Sequence, residues 1–387
     1  MAHTSTLFSY LLQIFPRHKF NSLVEQYDAN RYVKRNTCWK QFVTLLLAQA
    51  RGKVSLRDIA TCVATQAKKL YHLGITPLAR SSLADANNTR PYQLYEGFFY
   101  SLLCRMDGLI QNRKFRFKNN LYALDASTIS LCLSIFPWAK FRQKKGGIKL
   151  HCLMDVRTTI PELIVITKAK PHEVSVAKNI DFSRFSDSII VEDRGYMDFG
   201  FLKTLLTHRI HFVTRAKKNL QYTVVGQLNF LLGKGILRDQ LIELTGVKGH
   251  VFDKPLRLVT YYDDEHAVEY QFLTSITHLA PATIAQIYKA RWEIELFFKW
   301  IKQHLKIKTF YGTSKNAVMT QVWVAMIYYL LLAYIRCQTK FSDSLYQLTR
   351  IIQECLFDRV HLLDILSLKI ISLPTSNSPN LRQLALL

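Results

Sequence analysis

Acidic residues are scarce in this sequence. Its 387 residues include 28 Asp and Glu against 52 Lys and Arg, which gives a formal net charge of +24 at pH 7 and a pI near 9.7. That excess favours a polyanionic partner such as nucleic acid, although ribosomal and membrane-surface proteins share it. The content of 49% hydrophobic and 21% charged residues is typical of a folded protein. We therefore expect an ordered chain of two or three domains.

Paired cysteines and long apolar runs are also missing. The seven cysteines occur singly, without a CxxC motif, and their odd number indicates reduced core thiols of a cytosolic protein. The longest apolar run, Val322 to Ile335, has 14 residues. Because about 20 are needed to span a bilayer, this run predicts a buried helix and a soluble protein. The opening residues MAHTSTLFSYLLQIFPRHKF resemble no secretory signal, and the chain shows no internal repeat or low-complexity block.

A stretch without proline or glycine, Thr283 to Lys308, predicts one continuous helix. Along it, four functional side chains share one face, because they are spaced by three, four and seven residues. This face has two interpretations. It is either a solvated surface with an Arg to Glu pair contributing about 0.2 to 0.5 kcal/mol, or a site in which one carboxylate lies between two cations and a phenol. The four residues are Tyr288, Arg291, Glu295 and Lys302, and the neighbouring apolar stripe is Ile287, Ile294, Phe298, Ile301 and Leu305.

The spacing Tyr288-x2-Arg291-x3-Glu295-x6-Lys302, within YKARWEIELFFKWIKQ, resembles the YREK signature of the insertion-sequence-4 family of bacterial DDE transposases. The resemblance implies that Glu295 is the third catalytic carboxylate. Two aspartates should then lie upstream at the ends of buried strands. The strings LDAST and VEDRGY resemble the first and second aspartate boxes of that family, so the resemblance offers Asp125 and Asp193 for these positions.

The residues around these aspartates favour a sheet. LYALDAST, IKLHCLMDV and PELIVITKAK predict three strands, of which the last two form a hairpin, and a helix is expected near Glu173 to Phe185. Strands at Ile189 to Val191 and at IHFVTR follow. Three strands, a helix and further strands with helices is the order of a ribonuclease H-like fold, an α/β class with a mixed sheet and helices on both faces.

Asp125 and Asp193 each have a structural alternative. Asp125 could bond Ser127 or Thr128, and Asp193 could pair with Arg194 or cap the next helix. A carboxylate in a buried strand is nevertheless costly unless it is hydrogen-bonded, paired or bound to metal. Together with Glu295, the two aspartates offer hard oxygen donors suited to Mg²⁺ or Mn²⁺.

Other acids compete for the metal. These acids are Asp155, Glu162, Glu173, Glu192 and Glu293. Glu192 and Glu293 lie close in sequence to proposed ligands, but side chains alternate along a strand and turn around a helix, so we expect these two outside the metal site or at the surface. His172 matches a position where the family often has His-Asp, whereas the next residue here is Glu173.

Between Asp193 and Glu295 the chain is longer than the fold requires. Residues 219–275 contain short alternating runs and predict a β-rich insertion. Its entrance, VTRAKKN, matches a family string and contains Arg215, Lys217 and Lys218. These side chains form either a plain basic loop or a phosphate contact.

The expected organisation has five parts. Residues 1–90 form a helical DNA-binding region, 91–218 and 276–335 form the two parts of the catalytic core, 219–275 form the insertion, and 336–387 form C-terminal helices and a tail. The stretch Arg80 to Pro91, rich in Asn and Ser, is interpreted as a connection. The basic exterior expected for the first region comprises Arg31, Lys34, Arg35, Lys40, Arg51, Lys53 and Arg57.

The resemblance implies a transposase that binds the ends of its insertion sequence and performs metal-dependent strand cleavage and transfer, with two Mg²⁺ ions that Mn²⁺ can replace. Arg291 and Lys302 would hold phosphate oxygens, and Tyr288 would stack or hydrogen-bond near the cut end. The partners are double-stranded element ends and target DNA, bound by a homodimer at the bacterial nucleoid in the cytoplasm, without a membrane. A ribonuclease H-like structure-specific nuclease and a catalytically silent DNA-binding relic are the alternatives.

Overall fold

The structure is a computed structural model that describes residues 5–106, 117–229, 235–246, 251–304, 310–360 and 362–367. Its centre is a ten-stranded mixed sheet. The strands are β1 (Leu121–Leu131), β2 (Lys140–Arg142), β3 (Lys145–Asp155), β4 (Ile160–Lys168), β5 (Ile189–Glu192), β6 (His211–Arg215), β7 (Tyr222–Gln227), β8 (Ile236–Leu244), β9 (Leu256–Asp263) and β10 (Val268–Thr274).

Helices precede, interrupt and follow the strands. The helices are α1 (Leu7–Gln13), α2 (Arg17–Gln26), α3 (Cys38–Ala50), α4 (Leu56–Thr65), α5 (Ala67–Leu70), α6 (Arg80–Thr89), α7 (Gln93–Met106), α8 (Glu173–Ala177), α9 (Phe199–Thr207), α10 (Pro281–Ala290), α11 (Trp292–His304), α12 (Lys315–Gln338), α13 (Leu345–Cys355) and α14 (Leu362–Ser367).

The order of the strands confirms the ribonuclease H-like fold. β3 pairs antiparallel with both β1 and β4. β5 pairs parallel with β1 on one side and with β6 on the other. The change from antiparallel to parallel pairing matches the connections, since a short turn joins β3 to β4 whereas helical segments lie before β5 and between β5 and β6. This arrangement places the end of β5 beside the middle of β1. Asp193 thus follows a strand end as expected, whereas the strand end expected at Asp125 was wrong, because pairing with β3 continues β1 to Leu131.

The residues of the predicted insertion extend this same sheet. β10 pairs antiparallel with β6, and β9, β8 and β7 follow outward in that order. Arg257 and Asp239 form a buried ion pair between β9 and β8, with side chains 2% and 1% exposed. Arg257 Nη1 also donates to the carbonyls of Ile276 and Leu279, at 3.1 and 2.6 Å. The outer strands therefore hold the segment that leads into α10.

Apolar side chains form one core on each face of the sheet. On one face, α12 packs against α3, α6, α7 and α13, and its most apolar 18-residue window is 94% buried. α12 is long and apolar enough to cross a membrane by length and composition alone. Its apolar surface on all sides is instead covered by the protein, which confirms the predicted buried helix over Val322 to Ile335. On the other face, α9 packs Phe201 and Leu205 against β6.

The prediction of one continuous helix from Thr283 was wrong at Arg291. α10 ends at Ala290 and α11 begins at Trp292. At the junction, backbone N–H groups bond the carbonyl three residues earlier, as in a 3₁₀ helix: Arg291 N donates to Tyr288 O at 3.1 Å, and Ile294 N donates to Arg291 O at 3.1 Å. α10 packs on β5, β6 and β10, whereas α11 packs on β1. Because the sheet twists, one straight helix could not keep its apolar stripe on both sets of strands. Leu305 and Lys308 lie outside the described residues.

Two further predictions of local structure were wrong. The connection expected from Arg80 to Pro91 is the helix α6, whose Leu83 is buried and whose Asn87 side chain accepts a hydrogen bond from Gln41 Nε2 at 2.8 Å. Buried hydrogen bonds let a polar sequence form a core helix. The helix expected over Glu173 to Phe185 is only the short α8 and a separate 3₁₀ turn.

The burial of three side chains differs from the prediction. Lys40 is buried and donates to Thr76 Oγ1, so it is not part of the basic exterior. All seven cysteines are free thiols, but Cys104 and Cys132 are exposed, unlike the core positions expected for them. A short thiol side chain is tolerated in either environment.

We expect Asp239→Asn to lower the free energy of unfolding by about 3 to 5 kcal/mol, because it leaves the buried Arg257 guanidinium without its counter-charge. The matched control is Asp187→Asn, which breaks an exposed pair with Arg209, with side chains 67% and 73% exposed. That change should cost about 1 kcal/mol at most. Urea unfolding followed by circular dichroism measures both. An equal decrease in the free energy of unfolding in the two variants would contradict a larger contribution from the buried pair.

Candidate active site

The two predicted aspartates lie side by side at one edge of the sheet. In the parallel pair of β1 and β5, Leu124 is in register with Glu192, so the next residues are Asp125 and Asp193. β5 ends at Glu192 while β1 continues to Leu131. The edge of β1 is therefore open beside Asp125, and the exposed Asp193 lies at the mouth of this opening.

Backbone amides orient both carboxylates. Asp125 Oδ1 accepts from the N–H of Ala126 at 2.7 Å, and Asp193 Oδ1 accepts from the N–H of Arg194 at 2.7 Å. Burial raises the pKa of Asp125 to about 6, and the negative charges of Glu173 and Asp193 add to this effect. The Ala126 N–H and the positive charge of Arg291 oppose it. The charged form of Asp125 therefore lowers the free energy of unfolding of the protein.

Tyr288 connects the helix α10 to this edge. Its hydroxyl donates to Asp193 Oδ1 at 3.4 Å, and its ring packs on Phe272 of β10 with centroids 4.6 Å apart. The guanidinium of Arg291 lies 5.6 Å from the centre of the same ring. The phenol is consequently fixed between a carboxylate, an aromatic ring and a cation.

Arg291 joins the third carboxylate to the other two. Its Nη2 donates to Glu295 Oε1 at 2.6 Å, and the side chains are 13% and 33% exposed. Its charge also acts on Asp125 and on Asp193. Arg291 Nε is buried and has no hydrogen-bond partner in the described part of the chain. The structure therefore brings Asp125, Asp193, Tyr288, Arg291 and Glu295 into one electrostatic group.

The other predicted cations differ in their exposure and in their contacts. Lys302 is exposed on α11, about two helical turns beyond Glu295. Arg215 ends β6 with its guanidinium 4.7 Å from the ring centre of Tyr270, and its charge reaches Tyr288. Lys217 Nζ donates to the carbonyl of Met197 at 2.9 Å, which ties the loop after β6 to the segment after Asp193. Lys218 is exposed.

Glu173, one of the acids expected to compete for the metal, is a neighbour of the site. Glu173 begins α8, and its Oε1 pairs with Lys149 Nζ at 3.2 Å. A Cβ placed at Gly195 would lie 3.7 Å from Glu173 Oε2, so this acid stands beside the turn that follows Asp193. The signal was present in the departure from His-Asp to His172-Glu173, but sequence alone does not bring that loop next to β5.

A buried polar group lies on the opposite face of the sheet. Glu192 is fully buried, and burial, together with the charge of Asp193, raises its pKa well above the ordinary value. Glu192 is in register with Thr214, and Tyr196 follows in the next turn. Among the described residues, the side-chain oxygens of these three have no hydrogen-bond partner. Glu192 was expected outside the metal site, and alternation along β5 does turn it away from Asp193.

The donor set suits a divalent metal ion. Asp125, Asp193 and Glu295 offer carboxylate oxygens, the hard ligands of Mg²⁺ and Mn²⁺, and a cation would offset the cost of charging the partly buried Asp125. Within the ranges that the structure describes, the acids and histidines whose ligand atoms all lie within 4.8 Å are Asp263, Glu265 and His266, at the turn after β9. Asp125, Asp193 and Glu295 do not form such a close group among the described residues, and Glu295 is hydrogen-bonded to Arg291.

The chain is similar to known transposases. The family described as "Transposase DDE domain" matches residues 116–331, and a domain of unknown function (DUF4372) matches residues 3–76. A putative transposase, y4zB, of Sinorhizobium fredii is 31% identical over 281 residues, 72% of this chain and 77% of that protein. A probable transposase for insertion sequence element IS5377 of Geobacillus stearothermophilus is 30% identical over 59% of this chain and 60% of that protein.

A solved structure is also similar. The cryo-EM structure of the piggyBac transposase synaptic complex with hairpin DNA aligns with 97% of this chain and 84% of that one, with a TM-score of 0.49 and 12% identity.

Asp125→Asn should stabilise the metal-free protein above pH 6. The folded pKa of about 6 lies above the ordinary value of 3.8, so the carboxylate destabilises the fold once it is charged. The gain from Asn should be absent near about pH 4, grow as the pH rises to 6, and reach about 1 to 3 kcal/mol. Urea unfolding in EDTA at pH 4 and pH 7.5 measures it, with the exposed Asp193→Asn as the control. A gain that is the same at both pH values would contradict the burial of a charge at Asp125.

Proposed function

Because the chain belongs to the transposase DDE-domain family, we propose that it cuts DNA strands at the ends of its own insertion sequence and joins them to a target. The observation that supports the proposal best is the register of β1 with β5, which sets Asp125 beside Asp193, with Tyr288, Arg291 and Glu295 facing them from the helices. Two carboxylates on a ribonuclease H-like sheet and a third on a neighbouring helix suit direct phosphoryl transfer, which needs no covalent enzyme intermediate.

A DDE domain uses divalent metal ions. We propose that Asp125, Asp193 and Glu295 hold two Mg²⁺ ions, with Mn²⁺ as a substitute. When bound, such ions activate the attacking water or 3′-hydroxyl and stabilise the leaving oxygen of the scissile phosphate. The protein contributes the placement of the ligands: two are fixed by backbone N–H groups and the third by Arg291.

Cations around the carboxylates suit the DNA backbone. Arg291 presents a planar guanidinium capable of bidentate contact with a phosphate, and Lys302 presents an exposed point charge. Tyr288 is placed to contact the cleaved end, next to Asp193. Arg215, Lys217 and Lys218 extend the positive charge along the loop after β6, although the bond from Lys217 to Met197 indicates a structural role as well.

Within the family, the spacing of Tyr288, Arg291, Glu295 and Lys302 supports assignment to the insertion-sequence-4 group with its YREK signature. Residues 1–90 would form the region that binds element ends, and residues 91–218 with 276–335 the catalytic core, with 219–275 as its insertion and 336–387 as C-terminal helices and tail. A homodimer would bring two element ends to target DNA, in the bacterial cytoplasm at the nucleoid.

We expect Asp125→Asn, Asp193→Asn and Glu295→Gln each to abolish strand cleavage while they retain binding to the element end. Each change removes one charge from the metal ligands but leaves the DNA-binding region intact. The assay is Mg²⁺-dependent nicking of a linear duplex that carries the end, with gel-shift binding in parallel. As a matched control, Asp263→Asn changes an acid at an exposed turn and should cleave like wild type.

Cleavage by any triad variant at the wild-type rate would remove that residue from the site. Equal cleavage of end and scrambled duplexes by the wild type would favour a structure-specific nuclease. Binding without cleavage would favour a silent relic.

Arg291→Ala and Lys302→Ala should each lower strand transfer and reduce the salt slope of end binding by about one unit, since each removes one phosphate contact. Their stabilities should differ. Arg291→Ala leaves the partly buried Glu295 without its partner and should cost about 1 to 2 kcal/mol, whereas the exposed Lys302→Ala should cost almost nothing. Thermal melts and salt titrations of binding measure both effects.

Lys289→Ala is the control for the two cations. Lys289 is exposed on α10, about 200° around the helix from Arg291, and its loss should not change strand transfer. Normal strand transfer and an unchanged salt slope in Arg291→Ala and Lys302→Ala would show that both cations belong to an ordinary solvated helix face and do not contact phosphate.

A further inference from the structure

The loop between α2 and α3, residues 27–37, carries an aromatic side chain that the fold does not use. Tyr32 is 89% exposed, the highest value among the large apolar side chains in the described part of the chain. It is also one of the residues with a positive φ, at 58°. That backbone conformation is unfavourable for a residue with a Cβ, and for a bulky ring it is uncommon. We name this segment the Tyr32 loop.

Hydrogen bonds fix the base of the Tyr32 loop. Asn30 Oδ1 accepts from the N–H of Cys38 at 2.8 Å, and Cys38 Sγ donates to the carbonyl of Ala29 at 3.2 Å. On the other side, Asn36 Nδ2 donates to the carbonyl of Ser82 at 3.1 Å, and Arg90 donates to the carbonyl of Asn36. The strained tip is therefore presented on a rigid base. Strain of this kind persists where surrounding structure determines it, and it is concentrated at functional sites.

The tip is surrounded by positive charge. Arg31 lies with its guanidinium 5.1 Å from the centre of the Tyr32 ring and donates from Nη2 to the Tyr32 hydroxyl at 3.3 Å. Lys34 and Arg35 follow, and both are exposed. Asp28 pairs with Arg31 at 3.7 Å, which leaves the tip with net positive charge. One exposed ring among cations is poorly suited to an apolar protein partner and well suited to a polyanion with stackable rings.

We propose that the Tyr32 loop binds DNA, with Tyr32 stacked on a base and with Arg31, Lys34 and Arg35 at the flanking phosphates. This inference rests on the proposed function, because it assumes that the chain binds the ends of its element. The proposal gives the helical N-terminal region a stacking contact with an exposed base. This contact is separate from the carboxylate site. The strained φ of Tyr32 is then retained because it directs the ring outward.

The experiment compares variants of Tyr32 in binding to a duplex that carries the element end and to the same strand unpaired. Tyr32→Ala should weaken binding by about 5- to 150-fold, the range for loss of one stacked base, while Tyr32→Trp should bind like wild type. The salt slope should stay unchanged in Tyr32→Ala and fall by about one unit in Lys34→Ala or Arg35→Ala. Tyr346→Ala is the matched control, because Tyr346 is 49% exposed with Arg350 over its ring but lies on the regular helix α13.

A second measurement separates function from stability. Glycine adopts positive φ at no steric cost, so Tyr32→Gly should raise the midpoint of thermal unfolding and still weaken DNA binding. Wild-type binding by Tyr32→Gly or Tyr32→Ala would overturn the proposal. So would a change in oligomeric state by light scattering with DNA binding intact, since the ring would then contact protein.

The two proposals fail in different ways. If wild-type protein cleaves the element end and the Tyr32 variants bind it normally, only the role of the Tyr32 loop is wrong. If wild-type protein neither binds nor cleaves that duplex, the proposed function is wrong and the loop proposal is overturned with it.

Discussion

The parallel pairing of β1 with β5 is the constraint on which the site depends. Register alone sets Asp125 beside Asp193, and the different lengths of the two strands leave an open edge where a phosphate can approach. A shift of one residue along β5 would turn Asp193 into the opposite core and bring the buried Glu192 into the site. In the observed register Ile189 and Val191 enter one core and Ile190 enters the other, while Glu192 and Asp193 are the residues whose environments a shift would exchange.

The site concentrates negative charge in a strongly basic chain. The charges of Glu173 and Asp193 act on Asp125, and the partly buried guanidinium of Arg291 acts on Asp125 and pairs with Glu295. Without that cation the carboxylates would repel one another in a medium of reduced dielectric constant. Arg291 is thus required by the fold for charge balance as well as by the proposed chemistry for phosphate contact.

The sequence predicted the elements that depend on local pattern. Alternation and strand ends were sufficient to place β1, β3, β5 and β6, and the spacing of Tyr288, Arg291 and Glu295 indicated a shared face that the structure retains across the break. What could not be predicted depends on distant packing. The helix junction follows from the twist of strands far away in sequence, the polar helix α6 depends on hydrogen bonds to Gln41 and Asn316, and Glu173 approaches the site only through a loop.

The outer strands are mechanically connected to the site. Arg257 of β9 is held by Asp239 of β8, and its remaining N–H groups bind the carbonyls between β10 and α10. α10 carries Tyr288, whose ring rests on Phe272 of β10. Arg257 and Phe272 therefore connect the outer strands to α10, which ends beside Arg291. Because breaking a buried ion pair is strongly destabilising, the pair of Arg257 with Asp239 also anchors the segment that enters α10.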